Sequence, residues 1–189
     1  MFKDWLQITT TDCKILQLTK NKFVYPIFKN GQTSLNQYAK QNNCAILKNN
    51  EISNARKILI FLRDPLERFM SGVHTAIEIK KRTSSVDVKK YLQQVENFKI
   101  IDRHFVPQTF WLYHLWKYYR GTVQLKPVED LYNLIPNRTG PSIPSLTKQR
   151  QNQILQMDYK PHIEIDQKLF TKFLNTEVEL TTIVKELKK

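Results

Sequence analysis

Cysteine is scarce in this chain of 189 residues, which contains only Cys13 and Cys44. Two cysteines do not build the disulfide framework of a small secreted domain or a cysteine-based metal cluster. Long apolar runs are missing as well, because no stretch approaches the ~20 apolar residues that a membrane-spanning helix needs. Met1–Lys22 contains no apolar segment of the length found in signal peptides. We therefore expect a cytoplasmic protein that has no membrane span.

Acidic residues are the second shortage, since 17 Asp and Glu face 30 Lys and Arg and leave a formal net charge of +13. Such an excess predicts an anionic partner, such as a nucleotide, an acidic glycan, a nucleic acid or an acidic membrane. A solvated lysine-rich surface is the alternative. Hydrophobic residues make up 41% of the chain, which is enough for a folded core. The length suits one domain over residues 1–189, and no repeat or linker divides it.

Short apolar runs typical of β-strands alternate with patterns typical of amphipathic helices. The predicted strands are Ile15–Thr19, Phe23–Phe28, Cys44–Leu47, Lys57–Leu62 and Thr122–Leu125. Predicted helices begin at Leu35 and Leu66 and span Val86–Phe98, Pro107–Tyr119, Ser145–Met157 and Gln167–Leu174; Asn133–Pro144 is a predicted loop, and the lysine-rich C-terminal end is expected to fray. This alternation predicts an α/β fold, a three-layer sandwich with a mainly parallel central sheet.

The stretch Phe23–Ser34 predicts an anion site. An apolar β-type run is followed by Lys29, Asn30, Gly31, Gln32, Thr33 and Ser34, and a helical pattern then begins. Backbone N–H groups at a helix N-terminus lack intrahelical partners and carry a partial positive charge, so they bind anions. Gly31 allows close approach of the backbone, and Lys29 adds a positive charge. Thr33 or Ser34 is the predicted N-cap of the helix.

The order of residues in this loop differs from that of a Walker A loop. A Walker A lysine directly precedes the Ser or Thr, whereas Lys29 comes before Gly31. This order argues against an ordinary ATPase or GTPase. The alternative is a Lys-Asn-Gly turn that precedes a helix by chance.

A second anion site is predicted at Arg63–Gly72, directly after the most apolar strand. Arg63 offers a planar fork of donors that suits phosphate. Ser71 lies roughly 140° from the apolar stripe of the helix at 100° per residue, so it does not face the core. Its hydroxyl is therefore predicted to donate to the same anion. The alternative is an Arg63–Asp64 ion pair with a solvated Ser71. Ligands of parallel sheets bind at the carboxyl ends of strands, where both predicted sites fall.

These two segments resemble the nucleotide-binding motifs of sulfotransferases that use 3′-phosphoadenosine 5′-phosphosulfate (PAPS). The first is similar to the 5′-phosphosulfate loop, K-x-G-x-[TS]-S, and the second to the 3′-phosphate segment, R-D-P-x-x-R-x-x-S. The resemblance implies a P-loop-like sulfotransferase fold, PAPS as cofactor, adenosine 3′,5′-bisphosphate as product and no metal. It also implies that Lys29–Ser34 bind the 5′-phosphosulfate and that Arg63 and Ser71 bind the 3′-phosphate.

Two further matches point to the carbohydrate branch of this family. His104–Gln108 resembles the H-[FW]-x-P-Q segment of that branch, and Thr122–Leu131 resembles its late strand and E-D-L sequence. The resemblance thus covers Lys22–Leu131. The glycine-rich C-terminal segment of the cytosolic small-molecule enzymes is absent, which favours a glycan acceptor over a phenol or a steroid.

Sulfuryl transfer needs a base, positive charge at the leaving oxygen and fixed geometry. Lys29 is our candidate for the charge. The alternative bases are His104, because histidine is a common general base, and Glu51, which matches a catalytic glutamate of one glycan sulfotransferase group by position. Gln108 is the candidate for acceptor binding.

Two other functions remain open at this stage. A P-loop-like nucleotide kinase is disfavoured by the lysine order and by the lack of an evident magnesium-binding pair. A non-catalytic basic module that binds nucleotides or nucleic acid is disfavoured because Trp111, Tyr113, Trp116, Tyr118 and Tyr119 cluster in one predicted helix, as core residues do. Steep salt dependence of binding would favour that module.

Overall fold

The computed structural model describes residues 14–27, 29–135 and 145–189, which form one six-stranded sheet and eight α-helices. The strands are β1 (Lys14–Thr19), β2 (Lys22–Tyr25), β3 (Ala45–Lys48), β4 (Lys57–Leu62), β5 (Thr122–Pro127) and β6 (Glu177–Glu179). The helices are α1 (Gln32–Gln41), α2 (Pro65–Lys81), α3 (Val88–Glu96), α4 (Gln108–Trp116), α5 (Asp130–Leu134), α6 (Lys148–Leu155), α7 (Lys160–Phe173) and α8 (Leu180–Leu187). A 3₁₀-helix spans Asn49–Asn54.

The strands are ordered β3-β1-β2-β4-β5-β6 in a mixed sheet. β2 pairs in parallel with β4, and β4 with β5, whereas the other three pairings are antiparallel. The α/β class is confirmed, but the prediction of a mainly parallel sheet is wrong. The tight turn at Lys20 and Asn21 makes β1 and β2 an antiparallel hairpin, which needs no crossover. Apolar periodicity reports that a strand is buried and carries no information on its direction.

Helices cover both faces of the sheet. In β4, Ile58, Ile60 and Leu62 pack with α4, α7 and α8, whereas Phe61 packs on the opposite side with α1 and α5. Successive strand residues point to opposite faces, so a strand buried on both sides is a continuous apolar run. This arrangement accounts for the sequence KILIFL and gives three layers.

Helix α2 is the longest helix in the described ranges, with 17 residues. Asp64 caps it by accepting a hydrogen bond of 2.9 Å from the Glu67 backbone N–H, and Pro65 occupies the first turn. Its apolar face packs against α3 and α6. Among the described helices, none has the length and apolar character that crossing a bilayer demands.

The C-terminal part of the chain differs most from the prediction. α7 begins at Lys160, seven residues before the predicted start, and α8 forms where fraying was expected. α8 folds because Leu180, Ile183 and Val184 bury one stripe against the body of the protein. Only the first part of the predicted Asn133–Pro144 loop belongs to the described residues, and it includes the end of α5; residues 136–144 and Phe28 lie outside them.

The segment of residues 104–108 runs antiparallel along α2. The Arg68 Nη1 donates to the Val106 carbonyl at 2.5 Å, and the Gln108 Nε2 donates to the Arg63 carbonyl at 2.9 Å. At the other end the His104 carbonyl packs against Gly72, where an added Cβ would lie 2.1 Å from its oxygen. The two motifs identified in the sequence are therefore in direct contact.

We expect Gly72→Ala to destabilise the protein, although the same change in an open helix adds about 1 kcal/mol of stability. The new methyl group would overlap a backbone carbonyl, and such overpacking costs about 1–3 kcal/mol. Urea unfolding measures the difference in free energy. Thr171→Ala on the exposed side of α7 is the control and should stay within about 0.5 kcal/mol. A Gly72→Ala protein more stable than the parent would contradict this packing.

Candidate functional site

The loop between β2 and α1 opens a helix N-terminus toward solvent. Gly31 has φ 80° and is the N-cap of α1, and the first helical bond runs from the Leu35 N–H to the Gly31 carbonyl at 2.9 Å. The predicted cap at Thr33 or Ser34 is wrong, because the left-handed Gly31 turns the chain into the helix earlier. No described side chain caps α1. The N–H groups of residues 32–34 precede the first helical bond and so have no partner within the helix.

Gly31 is required by packing as well as by its backbone angle. A Cβ at this position would lie 2.3 Å from Cδ2 of Leu131, which is buried in α5. The helix that follows β5 therefore supports the loop from behind. No other residue type fits both the positive φ and this contact without a shift.

Lys29 reaches across from the loop to the middle of α2. Its Nζ donates to Oγ1 of Thr75 at 2.7 Å, and Thr75 Oγ1 donates to the Ser71 carbonyl at 2.8 Å. Burial, followed by the positive charges of Arg63 and Arg68, lowers the pKa of Lys29 to about 8. Three cations from two separate sequence segments therefore share one electrostatic environment.

Arg63 and Ser71 lie beside this lysine. Arg63 follows β4, is 32% exposed, and its Nε lies 3.5 Å from Oε2 of Glu67. The alternative ion pair with Asp64 is not what the described contacts show, because Asp64 caps α2. Ser71 is half-buried and stands one helical turn before Thr75, on the same side of α2. The face of α2 that contacts Lys29 thus also carries the Ser71 hydroxyl.

Asn30 is structural in this geometry. It is 1% exposed, its backbone N–H donates to the Ile27 carbonyl, and its Nδ2 donates to the Phe61 carbonyl at 2.8 Å and to Gln108 Oε1 at 2.5 Å. All its donors are engaged within the protein. Among the residues predicted to bind the nucleotide, Asn30 therefore has no donor left for a phosphate.

Gln108 is fully buried and its amide is engaged with the two strand ends. Its Oε1 accepts from Asn30 Nδ2 and from the Arg63 backbone N–H at 2.8 Å, while its Nε2 donates to the Arg63 carbonyl. These contacts do not favour the predicted role of Gln108 in acceptor binding, because an acceptor cannot reach a side chain with no exposed surface.

A buried charge pair lies beneath the site. Asp166 of α7 accepts from the backbone N–H groups of Gln108 and Thr109 at 2.6 and 2.8 Å and from Thr109 Oγ1 at 2.8 Å. Burial raises the pKa of Asp166, against the opposing influence of Arg68. Burial lowers the pKa of Arg68 to about 10, and Asp166 opposes this effect. No sequence signal identifies Asp166, which lies 58 residues from Gln108.

The two candidate bases have different surroundings. The His104 Nδ1 lies 2.5 Å from Oδ1 of Asp102, which also accepts from the His104 backbone N–H at 2.8 Å. Burial raises the pKa of Asp102, but the hydrogen bonds from His104 outweigh it and bring the pKa below its usual value. The ionised Asp102 favours a proton on Nδ1 and leaves Nε2 as the acceptor nitrogen. The backbone carbonyl of His104 packs against Gly72, the residue that follows Ser71 in α2.

Glu51 lies farther from the lysine. It is exposed in the 3₁₀-helix after β3, where its Oε2 accepts from the Lys48 backbone N–H at 3.0 Å. The register brings the ends of β3 and β2 to the same edge of the sheet, but β1 lies between them, a separation of about 10 Å. The backbone of His104, and not that of Glu51, therefore packs against α2, the helix that Lys29 contacts.

Comparisons of this chain with protein-family models, with curated proteins and with solved structures gave no match. The functional interpretation therefore depends on the motifs and on the geometry described above. Within the described ranges, no three His, Cys, Asp or Glu side chains form a group suited to a metal ion.

We expect the Lys29 amine to titrate near pH 8, because burial and two neighbouring guanidinium groups disfavour its charged form. NMR of protein labelled with ¹³C at lysine Cε follows this titration, and the Lys29→Arg variant identifies the resonance by its loss. Anion binding should raise the midpoint, since a bound negative charge favours the protonated amine. A Lys29 resonance that titrates near 10.5 would contradict the described surroundings.

Proposed function

We propose that this chain is a PAPS-dependent sulfotransferase that acts on a hydroxyl or amine of a carbohydrate. One observation carries the proposal: Lys29 and Arg63 follow the neighbouring parallel strands β2 and β4 and are close enough for the charge of one to lower the pKa of the other. An open helix N-terminus adjoins the lysine. Two cationic sites at adjacent strand ends suit a nucleotide with phosphates at both the 3′ and 5′ positions.

The donors fit the two phosphates in the order that the motifs imply. The N–H groups of Gln32, Thr33 and Ser34, with the two hydroxyls, would bind the 5′-phosphate, since no described side chain caps this helix end. Arg63 and Ser71 would bind the 3′-phosphate from α2 and the end of β4. PAPS supplies the activated sulfuryl group when it is bound. Asn30, expected to take part, would act only through the shape of the loop.

Lys29 would stabilise the negative charge that develops on the bridging oxygen. Transfer forms a bond from the acceptor oxygen or nitrogen to sulfur and breaks the bond from sulfur to the 5′-phosphate oxygen. The Lys29 ammonium is half-buried, so its interaction with that oxygen is screened less than at an exposed position. Its present partner is the neutral Thr75 hydroxyl, which a more strongly accepting anion would displace.

His104 is the base that the geometry favours. The acceptor proton would move to Nε2, and Asp102 would stabilise the resulting imidazolium through Nδ1. Glu51 is the alternative, but its carboxylate caps the Lys48 backbone and β1 separates it from the lysine loop. Its participation would need both a broken cap and a movement of several ångströms.

We expect Arg63→Ala and Ser71→Ala to weaken binding of adenosine 3′,5′-bisphosphate, since each removes a donor to the 3′-phosphate. The loss should be about 10- to 100-fold for Arg63, which corresponds to a hydrogen bond with a charged group, and smaller for Ser71. Adenosine 5′-monophosphate should bind with affinity changed less than about threefold. Calorimetry measures the affinity of each variant for both nucleotides.

Arg82→Ala, which removes an exposed arginine at the far end of α2, is the matched control for lost charge. If Arg63→Ala and Ser71→Ala weakened the binding of both nucleotides equally, the assignment of these residues to the 3′-phosphate would be contradicted. A parent protein that prefers ATP–magnesium would support the kinase instead, and one that binds no nucleotide would overturn the proposed function.

Lys29→Ala should reduce turnover by about 10²- to 10³-fold, the usual effect of removing a group that stabilises developing charge. Bisphosphate affinity should fall less than turnover, because the helix N-terminus and Arg63 remain. Release of bisphosphate from PAPS in the presence of a panel of glycans measures turnover. Lys168→Ala, at an exposed position of α7, is the control. Unchanged turnover in Lys29→Ala would overturn the role of this lysine.

A further inference from the structure

The two anion sites are joined by a continuous buried bridge of amide groups. The Gln108 side chain both donates to and accepts from the Arg63 backbone, in the manner of an adjoining strand, and so fixes the peptide from which the guanidinium extends. The same Oε1 accepts from Asn30, which stands between Lys29 and Gly31. One side chain thus contacts both the lysine loop and the end of β4.

Asn30 completes the bridge on the loop side. Its Nδ2 also donates to the Phe61 carbonyl in β4, so the loop that follows β2 is fastened to the neighbouring strand. Asn30 Oδ1 is buried without a hydrogen-bond partner among the described residues. Leaving this buried oxygen unpaired costs about 1–3 kcal/mol, and the two hydrogen bonds of Nδ2 offset that cost by holding the amide in place.

The backbone of Gln108 is itself held by Asp166 of α7. The Asp166 carboxylate accepts from the N–H groups of Gln108 and Thr109 at the N-terminus of α4, where a negative charge is favoured. The side chains of Asn30, Gln108 and Asp166 are each at most 2% exposed. Bulk water does not compete for these hydrogen bonds, so the separation of the two sites depends on these side chains.

A ligand that carries two phosphates gains from a fixed separation. Once one phosphate is bound, the second meets its site at an effective concentration that falls when the distance between the sites varies. Fixing the two sites in advance also removes an ordering cost from binding. A bridge that holds both sites should therefore strengthen the coupling between the phosphates and leave the affinity for a single phosphate nearly unchanged.

On this basis we propose that Gln108 is a positioning residue that holds the 5′- and 3′-phosphate sites at a fixed separation and thereby gives selectivity for adenosine 3′,5′-bisphosphate over adenosine 5′-monophosphate. This assignment rests on the proposed function. It replaces acceptor binding as the role of Gln108.

The test compares calorimetric affinities for the two nucleotides in the parent protein, Gln108→Met and Gln108→Glu. Methionine keeps the length and removes every hydrogen bond of the Gln108 side chain, whereas glutamate keeps the acceptor for Asn30 and the Arg63 N–H and loses the donor to the Arg63 carbonyl. We expect the ratio of the two affinities to fall about tenfold in Gln108→Met and less in Gln108→Glu. Monophosphate affinity should change less than about threefold.

A double-mutant cycle with Arg63→Ala separates positioning from simple loss of stability. If the bridge acts through Arg63, Arg63→Ala should reduce bisphosphate affinity much less in the Gln108→Met background than in the parent protein. Thermal melting reports the stability of each variant, and Gln93→Met, at an exposed position of α3, is the matched control. A purely structural glutamine would lower the melting temperature and leave the affinity ratio unchanged.

The outcomes distinguish this assignment from the proposed function. A parent protein without selective bisphosphate binding overturns both. If the parent protein binds the bisphosphate selectively and the folded Gln108 variants keep the same ratio of bisphosphate to monophosphate affinity, the role of the bridge is overturned and the proposed function is not. If Gln108→Met does not fold, Gln108→Glu and Asn30→Ala test the same bridge from its two ends, and unchanged selectivity in both overturns it.

Discussion

The parallel pairing of β2 with β4 is the constraint on which the candidate site depends. Tyr25 aligns with Ile60, so the chain leaves both strands at the same edge of the sheet and delivers Lys29 and Arg63 to one place. Parallel neighbours need a crossover, and α1, β3 and the 3₁₀-helix supply it. The antiparallel outer strands widen the sheet without disturbing this central arrangement. The mixed topology is therefore compatible with a site at the carboxyl ends of parallel strands.

Positive charge is concentrated at this edge at a cost to the unliganded protein. Burial and repulsion by neighbouring guanidinium groups disfavour the charged forms of Lys29 and Arg68, and for Arg68 the buried carboxyl of Asp166 opposes this effect. A polyanion would remove that repulsion, so part of its binding free energy comes from relief of strain already present in the fold. The same logic explains why the overall net charge of +13 is a weak guide, whereas three cations in one environment are informative.

Apart from the N-cap of α1, the sequence predicted the local features well and the long-range ones poorly. Strand β4, α2 and the loop at Lys29 follow from apolar periodicity and from residue types that act within a few positions. The direction of β1, the capping of α4 by Asp166 and the burial of Gln108 depend on contacts between segments far apart in the chain, which periodicity does not encode. Gln108 illustrates the limit, because a polar residue after Pro107 in a motif gives no sign that every polar atom faces inward.

The left-handed backbone of Lys29 has a consequence for how this loop is constrained. With φ 70°, the lysine occupies a conformation that costs an ordinary residue about 1–2 kcal/mol and that glycine adopts freely. Local stability would favour glycine at this position, so the lysine stands here against the preference of its own backbone. The shape of the turn and the charge it carries are therefore separable properties. If variants of this loop were selected for stability alone, we would expect the shape of the turn to persist and the positive charge at this position to be lost.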